Sequence, residues 1–339
     1  MSVTVAGIDC GTNSIRLMIV RLHGIINGGV DRDNLEIIVP RIMRVVRLGE
    51  GVDVHHEFSK EALERVFAAI DEFSQIISQH KVDAIRFVAT SATRDARNRQ
   101  EFENYIHSKL GIYPDIISGD EEARLSFLGA TSVINVSKYQ SPFLVVDLGG
   151  GSTELVLGGL GKDNCLQVKA EFSMNIGSVR MSERHNLSDA PTQTDIDAAI
   201  VDIDKHIEHA ARVVPLADVR TIIGVSGTVT TMTAVALGQD VYEQNAVDGV
   251  HMPIDNVLEV DERVLRMSRT ERDTLTVVHP GRRDVIGAGA LVWSRVLEAV
   301  RQATAQSGFT VDSYVASEHG LLDGIVLDLA RRTEMTRKK

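Results

Sequence analysis

Residues 145–155, VVDLGGGSTEL, constrain the fold of this chain more than any other segment. Three consecutive glycines follow a run of β-forming residues, and apolar alternation resumes after them, which predicts a strand, a turn and a second strand. Glycine at such a turn lets backbone N–H groups approach a ligand with no Cβ in the way, and clustered N–H dipoles bind anions. The segment therefore predicts a phosphate-binding hairpin, with a tight hairpin that binds nothing as the alternative.

A second hairpin of the same kind opens the chain, in SVTVAGIDCGTNSIRLMIVRL. Aligning DCGTNSIRLMI, which starts at Asp9, with DLGGGSTELVL, which starts at Asp147, matches Asp, Gly, Ser and Leu at an offset of 138. Both copies stand at the start of the same order of elements. The sequence therefore predicts a duplicated α/β unit.

The elements after each hairpin follow from periodicity and capping. The first half predicts three strands, a helix, a strand and a helix, with Pro40 marking an edge strand or a bulge and Ser59 an N-cap. The second half predicts a third strand in CLQVKAEFSM, a long helix over 194–213, a strand in RTIIGVSG and a helix opening at Thr228. The end of the chain predicts a strand, a turn and an amphipathic helix, with RRTEMTRKK as a frayed tail.

The domain boundary is expected in the polar stretch TSVINVSKYQSPF. We predict one domain over residues 1–135 and a second over 136–317. The last helix, over about 318–332, is expected to pack back onto the first domain.

Composition excludes several classes of protein. The net charge of -11 argues against broad binding of nucleic acid, which needs a basic surface. No apolar run approaches the roughly 20 residues of a membrane span, and the start of the chain lacks a basic signal-peptide region, so no membrane association and a cytoplasmic location are expected. Cys10 and Cys165 are far apart and predict two buried thiols and no disulfide. The histidines form no zinc motif, so any metal is expected on oxygen ligands.

A polyanion could still bind in a local basic groove. For Arg97 and Arg99 a solvated surface is the favoured interpretation. The candidate arginines are Arg41, Arg44, Arg47, Arg94, Arg97, Arg99, Arg282 and Arg283.

Each hairpin carries an aspartate in an apparently buried strand, Asp9 in the first and Asp147 in the second. A buried strand does not carry a carboxylate without a partner, so we predict that the two face each other across a cleft as oxygen ligands of Mg²⁺. The segment GVSGTVTTM follows a strand and opens a helix, and its amides predict another phosphate contact or a purely structural turn. The predicted phosphate-binding residues are Gly11, Thr12, Asn13, Ser14, Gly149, Gly150, Gly151, Ser152, Thr153, Gly227 and Thr228.

The paired loops resemble those of the actin, heat-shock ATPase and sugar-kinase superfamily. Within it, ATSATRDA, ISGDEEARLSFLGA, LVVDLGGGSTELVLG, GVSGTVTT and ASEHGLLDGI resemble, in family order, the exopolyphosphatase and guanosine pentaphosphate phosphohydrolase family. The resemblance runs from about residue 5 to 327. It implies an α/β fold with two duplicated actin-like (ribonuclease H-like) domains around a central phosphate-binding cleft.

The resemblance also assigns roles to individual residues. Ser118 and Glu121 have capping-box spacing at the start of a helix, which leaves Glu122 without a capping duty; by similarity to the family, Glu122 is the catalytic carboxylate. Arg94 matches the phosphate-binding arginine of the family. Glu154 resembles a second carboxylate that orients water or holds the metal, Mg²⁺ or Mn²⁺, with an outward surface charge as the alternative.

The leading expectation is an exopolyphosphatase that releases orthophosphate from the end of inorganic polyphosphate. Hydrolysis of guanosine pentaphosphate is the first alternative, although aromatic residues make up only 4% of the chain and no base-stacking cluster stands out. A sugar or acetate kinase and a non-catalytic sensor of (p)ppGpp in the stringent response are the other classes. The longer members of the family continue into additional helical domains, so a preference for shorter polyphosphate is expected here, and a homodimer is the expected assembly.

Overall fold

The computed structural model describes residues 2–24, 34–133, 138–161 and 166–337. The chain separates into two compact units. Unit 1 comprises Met1–Val133 together with Leu321–Lys339, and unit 2 comprises Ile134–Gly320. Cys165, predicted to be a buried thiol, lies outside the described residues.

The described part of unit 1 is built on a mixed sheet in the order β3-β2-β1-β4-β5. β1 is antiparallel to β2 and parallel to β4, so the glycine hairpin between β1 and β2 stands at the edge where β4 ends. Pro40 lies in β3, which is an edge strand as predicted, because proline cannot donate to a second neighbour. The strands are β1 (Val3–Cys10), β2 (Ser14–Leu22), β3 (Leu35–Val45), β4 (Ala84–Ala89) and β5 (Asp115–Ile116).

The helices of unit 1 include three that the sequence did not predict, the short α1 and α3 and the longer α4. Ser59 accepts a hydrogen bond from the Ala62 amide and caps α2 as expected. The helix α4 was missed because its sequence, RQEFENYIHSKL, buries only Phe102 and Ile106 and so carries a weak apolar stripe. The helices are α1 (Val52–His55), α2 (Lys60–Ser78), α3 (Ser91–Asp95), α4 (Arg99–Leu110), α5 (Gly119–Thr131) and, from the end of the chain, α13 (Leu321–Arg337).

Helix α13 packs on the sheet and on α5. Two glycines permit a close approach: a Cβ on Gly7 would lie 2.5 Å from Val326 Cγ1, and one on Gly324 would lie 1.9 Å from the Leu125 carbonyl oxygen. The prediction of a frayed tail is wrong for residues 331–337, which form the end of α13, while residues 338 and 339 lie outside the described residues. Arg337 donates to the Ser2 carbonyl and to Asp83, which holds the last described turn in place.

Unit 2 repeats the hairpin sheet on a larger scale. The order of its described strands is β10-β11-β9-β6-β7-β8, with β6, β9 and β11 mutually parallel. The strands are β6 (Phe143–Leu148), β7 (Thr153–Leu160), β8 (Leu166–Met174), β9 (Thr221–Val225), β10 (His251–Pro253) and β11 (Ser313–Ser317).

The long helix predicted over 194–213 is α7, which begins after a capping box formed by Thr192 and Asp195. The helix predicted to open at Thr228 begins at Ser226 instead. No described helix is long and apolar enough to cross a membrane. The helices of unit 2 are α6 (Ser178–Arg184), α7 (Gln193–Ala211), α8 (Ser226–Ala236), α9 (Gln244–Val247), α10 (Ile254–Arg266), α11 (Arg269–Arg272) and α12 (Ile286–Gln306).

Candidate active site

The two glycine loops close their hairpins with the same hydrogen bond. In unit 1 the Gly11 amide donates to the Ser14 carbonyl at 3.0 Å, and in unit 2 the Gly149 amide donates to the Ser152 carbonyl at 2.9 Å. Both pairs keep the 138-residue offset found in the sequence. The predicted duplication of the hairpin is therefore confirmed at the level of individual backbone bonds.

In unit 1 the loop is tied to its surroundings through backbone carbonyls. The Asn13 carbonyl accepts from the amides of Val46 and Arg47, and the Thr12 carbonyl accepts from Gly49. The Thr12 hydroxyl lies 2.9 Å from the Ser91 hydroxyl, at the start of α3. The loop carbonyls thus point into the protein.

In unit 2 the carbonyls of the glycine loop are bonded by the start of α6. The Gly149 carbonyl accepts from the Ser178 amide at 3.0 Å, and the Gly150 carbonyl accepts from the Val179 amide at 2.8 Å. Gly177 allows this approach, since a Cβ there would lie 2.6 Å from the Gly150 carbonyl group. Arg180 donates through Nε to the Gly151 carbonyl at 2.7 Å.

The amide N–H groups of the two glycine loops differ from the loop carbonyls in their bonding. Within the described ranges, the N–H groups of Gly150 and Gly151, and of Thr12 and Asn13 in unit 1, donate to no protein group. Because the carbonyls are already engaged, each loop presents adjacent N–H donors, the arrangement that binds anions. The side chain of Thr153, also predicted to bind phosphate, instead donates to the Ile176 carbonyl at 2.7 Å and holds the strand.

The acidic residues of the two hairpins have different partners. Asp9 lies directly opposite Arg16 in the β1–β2 pair and forms an ion pair with it, Nη1 to Oδ2, at 3.0 Å. Asp147 lies directly opposite Glu154 in the β6–β7 pair. The equivalent position, 138 residues apart, therefore carries a cation in unit 1 and a second anion in unit 2.

Asp147 and Glu154 are nearly fully buried, with exposures of 5% and 1%. Directly opposed residues point to the same face of a sheet, so the two carboxylates are neighbours. Ser226 Oγ donates to Asp147 Oδ1, and Ser173 Oγ donates to Glu154 Oε1 at 2.7 Å. Ser226 has a φ of 76°, a left-handed conformation that is uncommon and strained for a non-glycine residue.

This carboxylate pair fits a magnesium ion. Mg²⁺ prefers oxygen ligands and is usually held by one or two carboxylates plus water and phosphate oxygens, and two adjacent buried carboxylates match that donor set. A cluster of three or more metal-binding side chains does not occur among the described residues. A site completed by water and phosphate is consistent with that finding. Asp9 forms an ion pair with Arg16.

Glu122 and Arg94 are brought together in unit 1. Ser118 caps α5 by accepting from the Glu121 amide, as predicted, but the Glu121 side chain does not complete a capping box and contacts Arg86 instead. Glu122 is 7% exposed and accepts from Arg94 Nη1 at 2.9 Å.

The same Arg94 Nη1 also donates to the Ile117 carbonyl at 2.8 Å. Its Nε and Nη2 groups have no partner in the part of the chain that the structure describes. Arg94 therefore holds Glu122 with one nitrogen and keeps donors for an anion.

The start of α8 lies against Arg282. The guanidinium occupies the space beside the Gly227 Cα, where a Cβ would lie 1.6 Å from its Nη1. Gly227 and Thr228 are the second and third residues of α8. In this first turn the backbone amides point outward from the N-terminus. Arg283 forms an ion pair with Asp273 at 3.0 Å.

Most of the other candidate arginines are paired with acids at the surface. Arg97 and Arg99, for which a solvated surface was favoured, contact Glu57 and Glu103. Arg44 and Arg47 contact Glu72 and Glu50. Each of these four arginines therefore has an acidic side chain beside it.

Sequence reasoning missed several residues that shape the site. Ser173 carries no motif, and Ser226 lies within the GVSGTVTTM segment but was not assigned a role; each contacts a carboxylate that is distant in sequence. Arg16 could have been found, since the 138-residue offset aligns it with Glu154. Gly177 and Arg180 act on the loop from α6, a contact that only the fold shows.

Comparison with known proteins assigns the chain to a class and a family. The hairpin-led sheets, the glycine loops and the buried acids are those of a two-domain protein with the actin-like fold. The family model of the Ppx/GppA phosphatase family matches residues 30–329. The chain belongs to this family.

Its relatives include enzymes with both of the expected activities. Exopolyphosphatase 2 of Mycobacterium tuberculosis is 41% identical over 96% of this chain and 98% of its own length. The guanosine-5'-triphosphate,3'-diphosphate pyrophosphatase of Pseudoalteromonas atlantica is 31% identical over 72% of this chain and 45% of its own length.

Solved structures agree with the fold. The crystal structure of an exopolyphosphatase-like protein is 57% identical, covers 98% of each chain and superposes with a TM-score of 0.92. The Aquifex aeolicus PPX-GPPA enzyme is 27% identical, covers 97% of this chain and 100% of its own, and has a TM-score of 0.75. Both confirm the predicted α/β class.

Proposed function

We propose that this protein is an exopolyphosphatase, which hydrolyses the terminal phosphoanhydride bond of inorganic polyphosphate and releases orthophosphate. The observation that carries the proposal is the Glu122–Arg94 pair, in which a buried carboxylate is held by a guanidinium that keeps further donors. The relation to exopolyphosphatase 2 over nearly the full length of both chains supports polyphosphate as the substrate.

Hydrolysis of a phosphoanhydride needs a water molecule in line with the leaving group and a base to accept its proton. Glu122 takes this role. Its position in the first turn of α5 and its bond to Arg94 fix the carboxylate, so the water it binds has a defined direction of attack. Glu154 is the second carboxylate, next to Asp147, and orients water at that position.

The negative charge on the transferred phosphoryl group must be stabilised by positive charge and N–H donors. Arg94 donates through Nε and Nη2 to its non-bridging oxygens. Each glycine loop, and the first turn of α8, offers backbone N–H donors of the kind that bind phosphate. The loop carbonyls are engaged elsewhere, by the amides of residues 46, 47 and 49 in unit 1 and by the start of α6 in unit 2.

Asp147 and Glu154 would hold Mg²⁺, or Mn²⁺ in its place. The ion supplies charge neutralisation for phosphate oxygens when it is bound. Ser226 and Ser173 keep the two carboxylates in position by donating to them. The sequence also predicts Asp9 as a ligand, and its ion pair with Arg16 makes it the weaker candidate.

Hydrolysis of guanosine pentaphosphate is the second candidate function, because the same groups serve any terminal phosphoanhydride. The guanosine relatives favour it less, since this chain spans about 45% of the length of the Pseudoalteromonas atlantica enzyme. We further propose that shorter polyphosphate is preferred and that the protein forms a homodimer. Binding of (p)ppGpp remains a proposal of the same kind.

The test is orthophosphate release with Mg²⁺ from short polyphosphate, long polyphosphate, guanosine pentaphosphate and ATP, at equal concentrations of terminal phosphate. Fastest release from short polyphosphate is expected. Faster release from the guanosine nucleotide would make the second candidate the correct one. Phosphate transfer to a sugar or acetate, with no release to water, would contradict both.

A further inference from the structure

Arg86 joins three elements of unit 1 through a single buried guanidinium. It lies on β4 and is 8% exposed. Its Nε donates to Asp115 at 2.9 Å, its Nη2 to Glu121 at 2.6 Å and its Nη1 to Asp328 at 3.0 Å. The three carboxylates belong to β5, α5 and α13, so one side chain fixes the mutual positions of three segments.

The chemistry of the guanidinium suits this task. Its planar fork offers donors in fixed directions, whereas a lysine ammonium is a point charge that cannot reach three separated carboxylates with the same geometry. Burial lowers the pKa of Arg86, but the hydrogen bonds to Asp115 and Glu121 outweigh it and raise the pKa above its ordinary value. The cation is therefore permanent.

The bond to Glu121 acts on the residue next to Glu122. Glu121 has the position of a capping-box acid, yet its carboxylate turns to Arg86 and only its amide is used by Ser118. The first turn of α5 is therefore fixed on one side by Ser118 and on the other by Arg86. Glu122 leaves the same turn in the direction of Arg94.

The bond to Asp328 brings in the end of the chain. Asp328 is on α13 and also accepts from Arg332 at 2.8 Å. Helix α13 contacts α5 closely, since Gly324 leaves no room for a Cβ beside the Leu125 carbonyl. The position of α5 is thus set jointly by β4 and by α13.

We infer that Arg86 is a positioning residue for Glu122, acting through Glu121, and that Asp328 makes α13 part of the support of the reacting carboxylate. The inference rests on the proposed function, because Glu122 is the reacting carboxylate there. It assigns to Arg86, Glu121 and Asp328 a role in turnover although none of them touches the substrate.

The decisive variants are Arg86→Lys, Glu121→Ala and Asp328→Ala. Each is expected to lower kcat on polyphosphate by roughly 10- to 100-fold, because a small misplacement of a reacting group has effects of that size. KM is expected to stay within about twofold, since the phosphate-binding groups are unchanged. A loss of stability alone would not produce this split in a protein that is folded at the assay temperature.

Two matched controls remove neighbouring charges without touching Arg86. Asp120→Ala removes an exposed acid from the same turn as Glu121, and Arg332→Ala removes the other partner of Asp328. Both are expected to leave kcat unchanged. If Arg86→Lys does not fold, Glu121→Ala replaces it as the test variant. Glu121 is only half-buried, and after its removal Arg86 still has two partners, Asp115 and Asp328.

The measurement compares kcat, KM and the melting temperature of all five variants with the wild type and with Glu122→Ala. Lowered kcat in the three variants and unchanged kcat in the two controls is the expected result. An active wild type, an inactive Glu122→Ala and unchanged kcat in folded Glu121→Ala and Asp328→Ala would overturn the inference alone. A wild type that releases no phosphate, or an active Glu122→Ala, would instead overturn the proposed function.

Discussion

Asp147 on β6 lies directly opposite Glu154 on β7, and both carboxylates are almost completely buried. The same register position in unit 1 pairs Asp9 with Arg16. The two hairpins therefore have the same backbone pairing but carry different charges at this position. This difference has a direct consequence for metal binding.

Replacing either acid of unit 2 is expected to weaken the binding of the metal ion. Asp147→Asn and Glu154→Gln should each raise the Mg²⁺ concentration for half-maximal activity by at least roughly tenfold, the scale on which even outer partners of metal ligands act. Asp9→Asn should raise it less, because Arg16 already balances that charge. Titration of activity with Mg²⁺ measures all three, and equal shifts would place Asp9 among the ligands.

Removing the carboxylate of Glu122 should abolish turnover and spare binding. Glu122→Ala is expected to lose at least about 100-fold in kcat, the scale of general base catalysis, while the affinity for polyphosphate changes little. Equilibrium binding with a slowly hydrolysed chain and single-turnover kinetics separate the two effects. Asp120→Ala, an exposed acid two residues away, is the control, and an unchanged rate in Glu122→Ala would refute the assignment.

A methyl group at Gly177 should disturb the loop of unit 2. The added Cβ would lie 2.6 Å from the Gly150 carbonyl group, so the loop or α6 must move. We expect Gly177→Ala to raise KM for polyphosphate and to cost about 1–3 kcal/mol of stability, as for other overpacked positions.

Gly238→Ala is the control that distinguishes displacement of the glycine loop of unit 2 from general backbone strain. Gly238 has a φ of 70°, so alanine there is strained, but no atom lies within 4 Å of the added Cβ. This variant should lose stability and keep its KM. If both variants showed the same KM as the wild type, contact between α6 and the loop would have no part in substrate binding.

Asp261 predicts a pH dependence of stability. It lies in α10 at 1% exposure, and Ser294 donates to its Oδ2, whereas its Oδ1 has no partner in the described part of the chain. Burial raises the pKa of Asp261 well above its usual value, more than the Ser294 bond lowers it. Above the unfolded pKa the native state thus binds more protons than the unfolded state, so this group makes stability fall as pH rises.

Asp261→Asn removes that contribution and keeps an acceptor for Ser294. The free energy of unfolding of the variant relative to the wild type should increase from about pH 4 upward and level off above the folded pKa. Urea unfolding over this range is the measurement. A pH-independent difference for Asp261→Asn would contradict the prediction.

The strands and loops of both hairpins were predictable because glycine, β-branched residues and alternation are local signals. The pairing of Asp147 with Glu154 was not stated in advance, although both were named, because opposition depends on register. The contacts of Gly177 with Gly150, and of Arg86 with Asp328, join residues far apart in the chain, and no local pattern encodes them. The helix α4 was missed because its local sequence is mostly polar and gives little helical signal. Its helicity comes from packing.

The return of α13 to unit 1 governs the order in which the chain can fold on the ribosome. Unit 2 is continuous in sequence, so its core is complete once Gly320 has emerged. One apolar face of the first sheet, which includes Val5 and Val20, packs against Val326 and must wait until α13 has been synthesised. Until then that face is open to solvent and to other nascent chains, and the first unit to begin is the last to close.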